Sequence, residues 1–155
     1  MRIPRKQTAF GDTGISYRFS GTEVPARAWT PFLQDLANEI TEYLRNRNLL
    51  PDDCAGINFV LVNYYEDGNS YIGWHADDER DLASSVIVSL SLGAARDFIF
   101  RKKSAHEQKY KMHLSNGDML VMHGDTQKYW QHTLPKRMHV TEPRWNLTFR
   151  IMWKN

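Results

Sequence analysis

Arg144-Trp145-Asn146-Leu147-Thr148-Phe149-Arg150 alternates without a break between bulky apolar and polar residues. Successive side chains of an extended strand leave opposite faces. Trp145, Leu147, Phe149 and the following Ile151 therefore share one face, while Arg144, Asn146, Thr148 and Arg150 share the other. The period of two predicts a strand with one side built for a core and a polar side carrying two guanidinium groups. Taken alone, such a strand also reads as an edge strand with a solvated polar face.

Working outward, the chain from Asn58 onward is a series of short β-type runs broken by turn residues. Strands are expected over Asn58–Tyr65, Val86–Leu92, Asp97–Arg101, Tyr110–Leu114, Asp118–Met122, Gln131–Thr133 and Trp145–Met152. Asp67-Gly68-Asn69, Gly93 and Asn116-Gly117-Asp118 supply turn chemistry between several of them. This spacing suits a sandwich or barrel rather than alternating βαβ units. One helix is expected from Pro31 to Arg47, with Thr30 as N-cap and Pro31 at the first helical position. Its apolar stripe is Phe32, Leu33, Leu36, Ile40, Tyr43 and Leu44 at helical period, which should pack on a sheet. The expected fold is mainly β with a flanking helix, a double-stranded β-helix or jelly roll.

At 155 residues, with 41% hydrophobic and 25% charged residues, the chain has the size of one domain, and residues 1–155 are read as a single unit. No stretch approaches the roughly 18 consecutive apolar residues of a membrane span, and Met1–Lys6 lacks the apolar core of a signal peptide. A soluble intracellular protein of cytoplasm or nucleus is expected. The sole cysteine, Cys54, leaves no internal disulfide and no thiol pair for zinc, so any metal must use His, Asp or Glu. Net charge is +2 and the pI 8.7, too mild for binding nucleic acid by charge alone. The clusters Arg2/Arg5/Lys6, Arg101-Lys102-Lys103 and Lys136-Arg137 read by default as solvated surface. A monomer is expected, since no coiled-coil heptad or long exposed apolar stretch argues otherwise.

In Tyr71-Ile72-Gly73-Trp74-His75-Ala76-Asp77-Asp78-Glu79, His75 and Asp77 stand two apart, so an extended backbone sends both to one face. Two histidines and one carboxylate on one face of a metal are the ligand set of non-haem Fe(II) oxygenases, which leave the opposite face open for a co-substrate and O₂. His132, in the β-like run Trp130–Pro135, is the best third ligand; His106, His113, His123 and His139 read as surface or structural. The polar face of Arg144–Arg150 suits a dicarboxylate such as 2-oxoglutarate, because guanidinium groups bind carboxylates through paired charge-assisted bonds. Asn63 and Tyr65, on one face of their strand, can complete that anion site. A lone H-x-D is common by chance, and only the order of all these parts raises it above that background.

At these residues the sequence resembles the AlkB family of alkylation-repair dioxygenases, in particular its animal-type nucleic-acid demethylase branch. The resemblance runs through Pro4–Asp12, Tyr17–Gly21, Asn63-Tyr64-Tyr65, His75–Glu79, Ser89–Gly93, Trp130-Gln131-His132 and Arg144–Arg150, nearly the whole chain in the family's order. It implies His75, Asp77 and His132 as ligands of Fe(II), with Asn63, Tyr65, Arg144, Asn146 and Arg150 around 2-oxoglutarate. Arg144 with Tyr65 would hold the distal carboxylate, and Arg150 with Asn63 would lie nearer the iron. It also implies a base pocket of Tyr17, Phe19 and Glu79, rimmed by Arg5 and Gln7. The implied reaction uses O₂ to oxidise the N-methyl groups of bases such as 1-methyladenine and 3-methylcytosine in DNA, with RNA as second candidate, releasing formaldehyde, succinate and CO₂.

The chain begins almost directly at Pro4-Arg5-Lys6-Gln7, without the preceding segment that carries a stack-wedging side chain in duplex-specialised members. A single-stranded or already unstacked substrate is therefore the expectation, since it costs less to engage. Two alternatives remain open to the sequence: a 2-oxoglutarate-dependent hydroxylase of a protein or small molecule, and a non-catalytic jelly-roll binding module.

Overall fold

The computed structural model describes residues 4–19 and 21–154, Phe19 by its backbone alone. Arg2 and the Phe19 side chain lie outside the described residues. In chain order the elements are β1 (Lys6–Gly11), β2 (Ser16–Phe19), β3 (Thr22–Pro25), β4 (Arg27–Ala28), α1 (Pro31–Asn46), β5 (Phe59–Tyr65), β6 (Ile72–His75) and β7 (Ile87–Gly93). There follow β8 (Arg96–Lys102), β9 (Ala105–Leu114), β10 (Met119–Met122), α2 (Thr126–Tyr129), β11 (Trp130–Leu134) and β12 (Arg144–Arg150).

Ten of these strands form two sheets, a six-stranded one in the order β10-β7-β12-β5-β1-β4 and a four-stranded one in the order β6-β11-β8-β9, while β2 and β3 form a separate hairpin. Antiparallel pairing throughout, except for β1 with β4, gives the jelly-roll arrangement. The outer face of the larger sheet is covered by α1: Leu33, Ala37, Ile40 and Leu44 pack with Val60, Val88, Leu147 and Phe149. Between the two sheets Tyr65 of β5 packs with Phe98 of β8, Leu114 of β9 and Leu134 of β11.

The helix begins as its sequence requires, with the Leu33 N–H donating to Thr30 Oγ1 at 3.3 Å and Pro31 in the first turn. It stops where Asn48 takes a left-handed φ of 55°, a conformation Asn tolerates better than most residues. The expected stripe needs one correction. Phe32 is 68% exposed, and Ala37 at 1% takes a place in the buried row, because a residue next to Leu33 is rotated about 100° from it around the axis. On β12, Trp145 is 40% exposed, unlike Leu147 and Phe149, and lies against Tyr64 at the end of the strand with 4.9 Å between ring centroids.

The strand expected over Tyr110–Leu114 extends back to Ala105. Elements β1 to β4, β6 and α2 were not expected as regular structure. Of the basic clusters, Arg137 is not simply solvated, since its Nε donates to Asp97 Oδ2 at 2.7 Å, and the Arg101 guanidinium lies 4.3 Å from the Trp74 ring centroid.

Candidate metal centre and its cavity

Strand β12 lies between β5 and β7, in register Arg144↔Tyr65 and Asn146↔Asn63 on one side and Asn146↔Ser91 and Thr148↔Ser89 on the other. Its polar face is thus buried inside the molecule, with Arg144, Asn146, Thr148 and Arg150 all below 9% exposure. Burying polar groups is unfavourable unless they find partners, and several do. Arg144 donates to Ser91 Oγ at 2.9 Å, Asn146 Nδ2 to Ser89 Oγ at 2.6 Å, and the Thr148 hydroxyl to Asn146 Oδ1 at 2.8 Å. The Nε atoms of Arg144 and Arg150 have no partner among the described residues. Two buried guanidinium groups with spare donors fit an anion.

In the other sheet, β6 and β11 pair His75 directly with His132. β6 ends at His75 and Asp77 follows in irregular chain, yet the three side chains converge: their ligand atoms all lie within 4.8 Å of one another. Asp77 Oδ1 is 3.7 Å from His75 Nε2, and Oδ2 is 3.5 Å from His132 Nε2. His75 Nδ1 is 2.8 Å from the Gly73 carbonyl. That contact favours a proton on Nδ1 and leaves the Nε2 lone pair free for a metal. The His132 ring is stacked on Phe98, 5.1 Å between centroids and 20° between planes.

The charges suit a cation. Burial acts to raise the Asp77 carboxyl, but Arg150 and the imidazoles outweigh it and hold the group below the usual carboxylate range. Burial pushes His132 down to about 4, against the pull of Asp77 and with help from His75 and Arg150. His132 is thus neutral at physiological pH, and Arg150, at 3.3 Å from Asp77 Oδ1, is the foremost charge that keeps Asp77 ionised. An ionised carboxylate beside the neutral His132 imidazole is the protonation state that ligation needs, and the donor set fits Fe(II).

Both clusters open into one cavity of about 840 Å³. It is lined by His75, Asp77 and His132, by Asn63, Tyr65, Arg144, Asn146 and Arg150, and by Arg5, Gln7, Tyr17 and Glu79. Every site residue expected from the sequence is in this lining except Phe19, whose side chain is not described. Glu79 is half exposed and accepts from Arg150 at 2.8 Å, so one guanidinium spans Asp77 and Glu79. Asn63 Oδ1 accepts from both Arg5 and Gln7 at 2.9 Å. Burial raises the Tyr65 phenol, against the opposing charges of Arg144, Arg5 and Arg96, and the phenol stays neutral as a donor. Arg144, lowered by burial to about 10, remains charged at neutral pH.

Several residues of the site region were missed from sequence. Ser89 and Ser91 anchor the β12 polar row from β7. Arg96, 1% exposed, donates to the carbonyls of Asp67, Ser70 and Pro135, and its guanidinium lies 6.0 Å from the Tyr65 ring centroid while that of Arg144 lies 5.5 Å away. The Asp77 N–H donates to Gln127 Oε1 at 2.8 Å. The serines had a faint signal, being polar residues at alternate positions in an apolar run; Arg96 and Gln127 had none, because their partners are loop carbonyls and a backbone amide.

A family model described as the 2OG-Fe(II) oxygenase superfamily matches residues 3–150. The chain is 41% identical over 156 residues to "DNA oxidative demethylase ALKBH2" of Mus musculus, covering 96% of this chain and 62% of that protein. It is 36% identical to "Alpha-ketoglutarate-dependent dioxygenase alkB homolog 3" of the same species, covering 97% of this chain and 52% of that protein. The chain thus spans between half and two thirds of the length of these curated relatives. Among solved structures, the one described as "The structure of OsALKBH1" superposes with a TM-score of 0.63 at 21% identity, covering 96% of this chain and 78% of that one; this likeness concerns the fold. The AlkB resemblance read from the motifs agrees with the names of these relatives.

Proposed function

From the premise that this chain belongs to the 2OG-Fe(II) oxygenase superfamily, we propose that it oxidatively demethylates N-alkylated bases in DNA. The observation that carries the reading is the single cavity of about 840 Å³ shared by the His75/Asp77/His132 cluster, two buried arginines, and a partly exposed group comprising Tyr17, Arg5, Gln7 and Glu79. A volume in the usual range for ligand sites leaves room for a dicarboxylate and a base together. Its relatives include a protein named DNA oxidative demethylase and one named alpha-ketoglutarate-dependent dioxygenase.

In this reading His75, Asp77 and His132 hold the iron. Arg144 and Tyr65 bind the distal carboxylate of 2-oxoglutarate, Arg150 and Asn63 the end nearer the metal, and Asn146 supports the row from β12. Bound there, Fe(II) would supply the chemistry that couples oxidation of 2-oxoglutarate by O₂, to succinate and CO₂, to hydroxylation of the N-methyl group. The hydroxymethyl group on the base nitrogen would then leave as formaldehyde, the C–N electron pair returning to the ring nitrogen and the hydroxyl proton going to solvent. The buried walls exclude water from the oxidant. Tyr17, Phe19 and Glu79 receive the base, with Arg5 and Gln7 at the rim. An aromatic face and a carboxylate favour the cationic bases 1-methyladenine and 3-methylcytosine over neutral ones. A single-stranded substrate is preferred because no pairing must be broken before the base enters.

The test is incubation of the protein with Fe(II), ascorbate, 2-oxoglutarate and single- or double-stranded oligonucleotides carrying either lesion, followed by mass spectrometry. We expect loss of one CH₂ per lesion, faster on single strands. An unchanged mass on every strand, with iron bound, would remove the demethylase reading.

A further inference from the structure

The loop carrying Asp77 is anchored from outside the cavity. The Asp77 N–H donates to Gln127 Oε1 at 2.8 Å, and Gln127 is 7% exposed but does not line the cavity. The other end of the amide, Nε2, lies 3.4 Å from Met122 Sδ, which accepts its proton. This fixes the amide's orientation, because the flipped amide would turn its NH₂ against the Asp77 N–H and oppose donor to donor. The main chain around Gln127 is held as well: its carbonyl accepts from Lys103 Nζ at 2.8 Å, and the Tyr129 carbonyl accepts from the Lys103 N–H at 2.8 Å. The turn after β8 thus clamps α2, and α2 runs directly into β11, which carries His132.

We propose that Gln127 is a positioning residue of the metal centre, whose amide oxygen fixes the Asp77 backbone in register with the strand that supplies His132. The side chain of Asp77 needs such an anchor, because Arg150 at 3.3 Å competes for the oxygen that lies 3.7 Å from His75 Nε2. With its N–H tied to Gln127, the carboxylate stays beside both imidazoles. Groups that orient a metal ligand without touching the metal commonly change affinity by about 10- to 100-fold when removed. The inference rests on the three-ligand reading of the centre.

Co(II) serves as an oxygen-tolerant probe in place of Fe(II). Metal-free wild type, Gln127→Met and Gln127→Glu are titrated with Co(II), following its visible ligand-field bands. Methionine matches the length of Gln127 and fills its site but offers no amide acceptor, so Q127M should bind roughly 10- to 100-fold more weakly with altered bands. Glutamate keeps the acceptor, so Q127E should recover most of the affinity. Wild-type affinity and bands in Q127M would overturn the proposal, as would equal losses in both variants, which would mark a packing role. If Q127M does not fold, hydrogen exchange of the Asp77 amide in metal-free wild type decides: protection is expected, and exchange at the rate of an exposed amide would contradict it. Failure of wild type itself to take up Co(II) would overturn the metal centre, and this role with it.

Discussion

Asp77 bears most of the electrostatic load of the site, a buried carboxylate between two imidazoles and one guanidinium. Asp77→Ala should abolish both metal uptake and turnover, since it deletes one of three ligands; retained metal binding in that variant would reject the ligand set. Arg144→Lys keeps the buried charge but loses the planar fork. It should raise the KM for 2-oxoglutarate by roughly tenfold or more, the cost of one or two charge-assisted bonds, with less effect on kcat; an unchanged KM would place the co-substrate elsewhere. His132 gives a pH signature. Its pKa falls from 6.5 to about 4 on folding, so the native state binds fewer protons than the unfolded state between those values. Stability of the metal-free protein should therefore fall as pH drops through that window, by at most roughly 3 kcal/mol from this group. Asp77, also depressed, adds a loss at more acid pH. Thermal melts of metal-free wild type and His132→Gln across this range check the point, and the variant should show a shallower slope; identical slopes would contradict it.

Among the elements, β12 was the most legible in the sequence. Its seven residues give the period of two enough positions to show, and its central place makes both faces matter, one against the α1 core and one against the cavity. The helix was legible for the same reason, through Thr30, Pro31 and a repeated apolar row, although Phe32 shows that a run of apolar residues does not say which of two neighbours is buried. Strands β2, β3, β4 and β6 have four residues or fewer and α2 has four, too few for any period to register. The site residues whose partners are side chains across a strand, such as Asn63 and Arg144, could be placed from alternation. Arg96 and Gln127 could not, because their bonds go to the main chain of distant loops. The cap on α1 lies far from this chemistry in function, so Thr30→Ala should cost about 1 kcal/mol in denaturant unfolding and leave Co(II) affinity unaltered. A change in metal affinity would show that α1 is coupled to the centre through the larger sheet.

For the molecule as a whole, the two sheets divide the labour. The six-stranded sheet presents the arginines and amides of β12 and β5, backed by α1; the four-stranded sheet presents His75 and His132; and the cavity is where they face each other. No described helix is long and apolar enough to cross a membrane. Family membership and the cofactors follow from the matching family model and the His-Asp-His cluster, while the proposed base specificity rests on Tyr17 and Glu79 in the cavity lining and is open to direct measurement. The direct one is to quantify succinate and formaldehyde in the same reaction with single-stranded DNA containing 3-methylcytosine. The two should form in one-to-one ratio, both dependent on the methylated base and both lost in Asp77→Ala. Succinate formed at the same rate without formaldehyde, whether or not the methyl group is present, would contradict it.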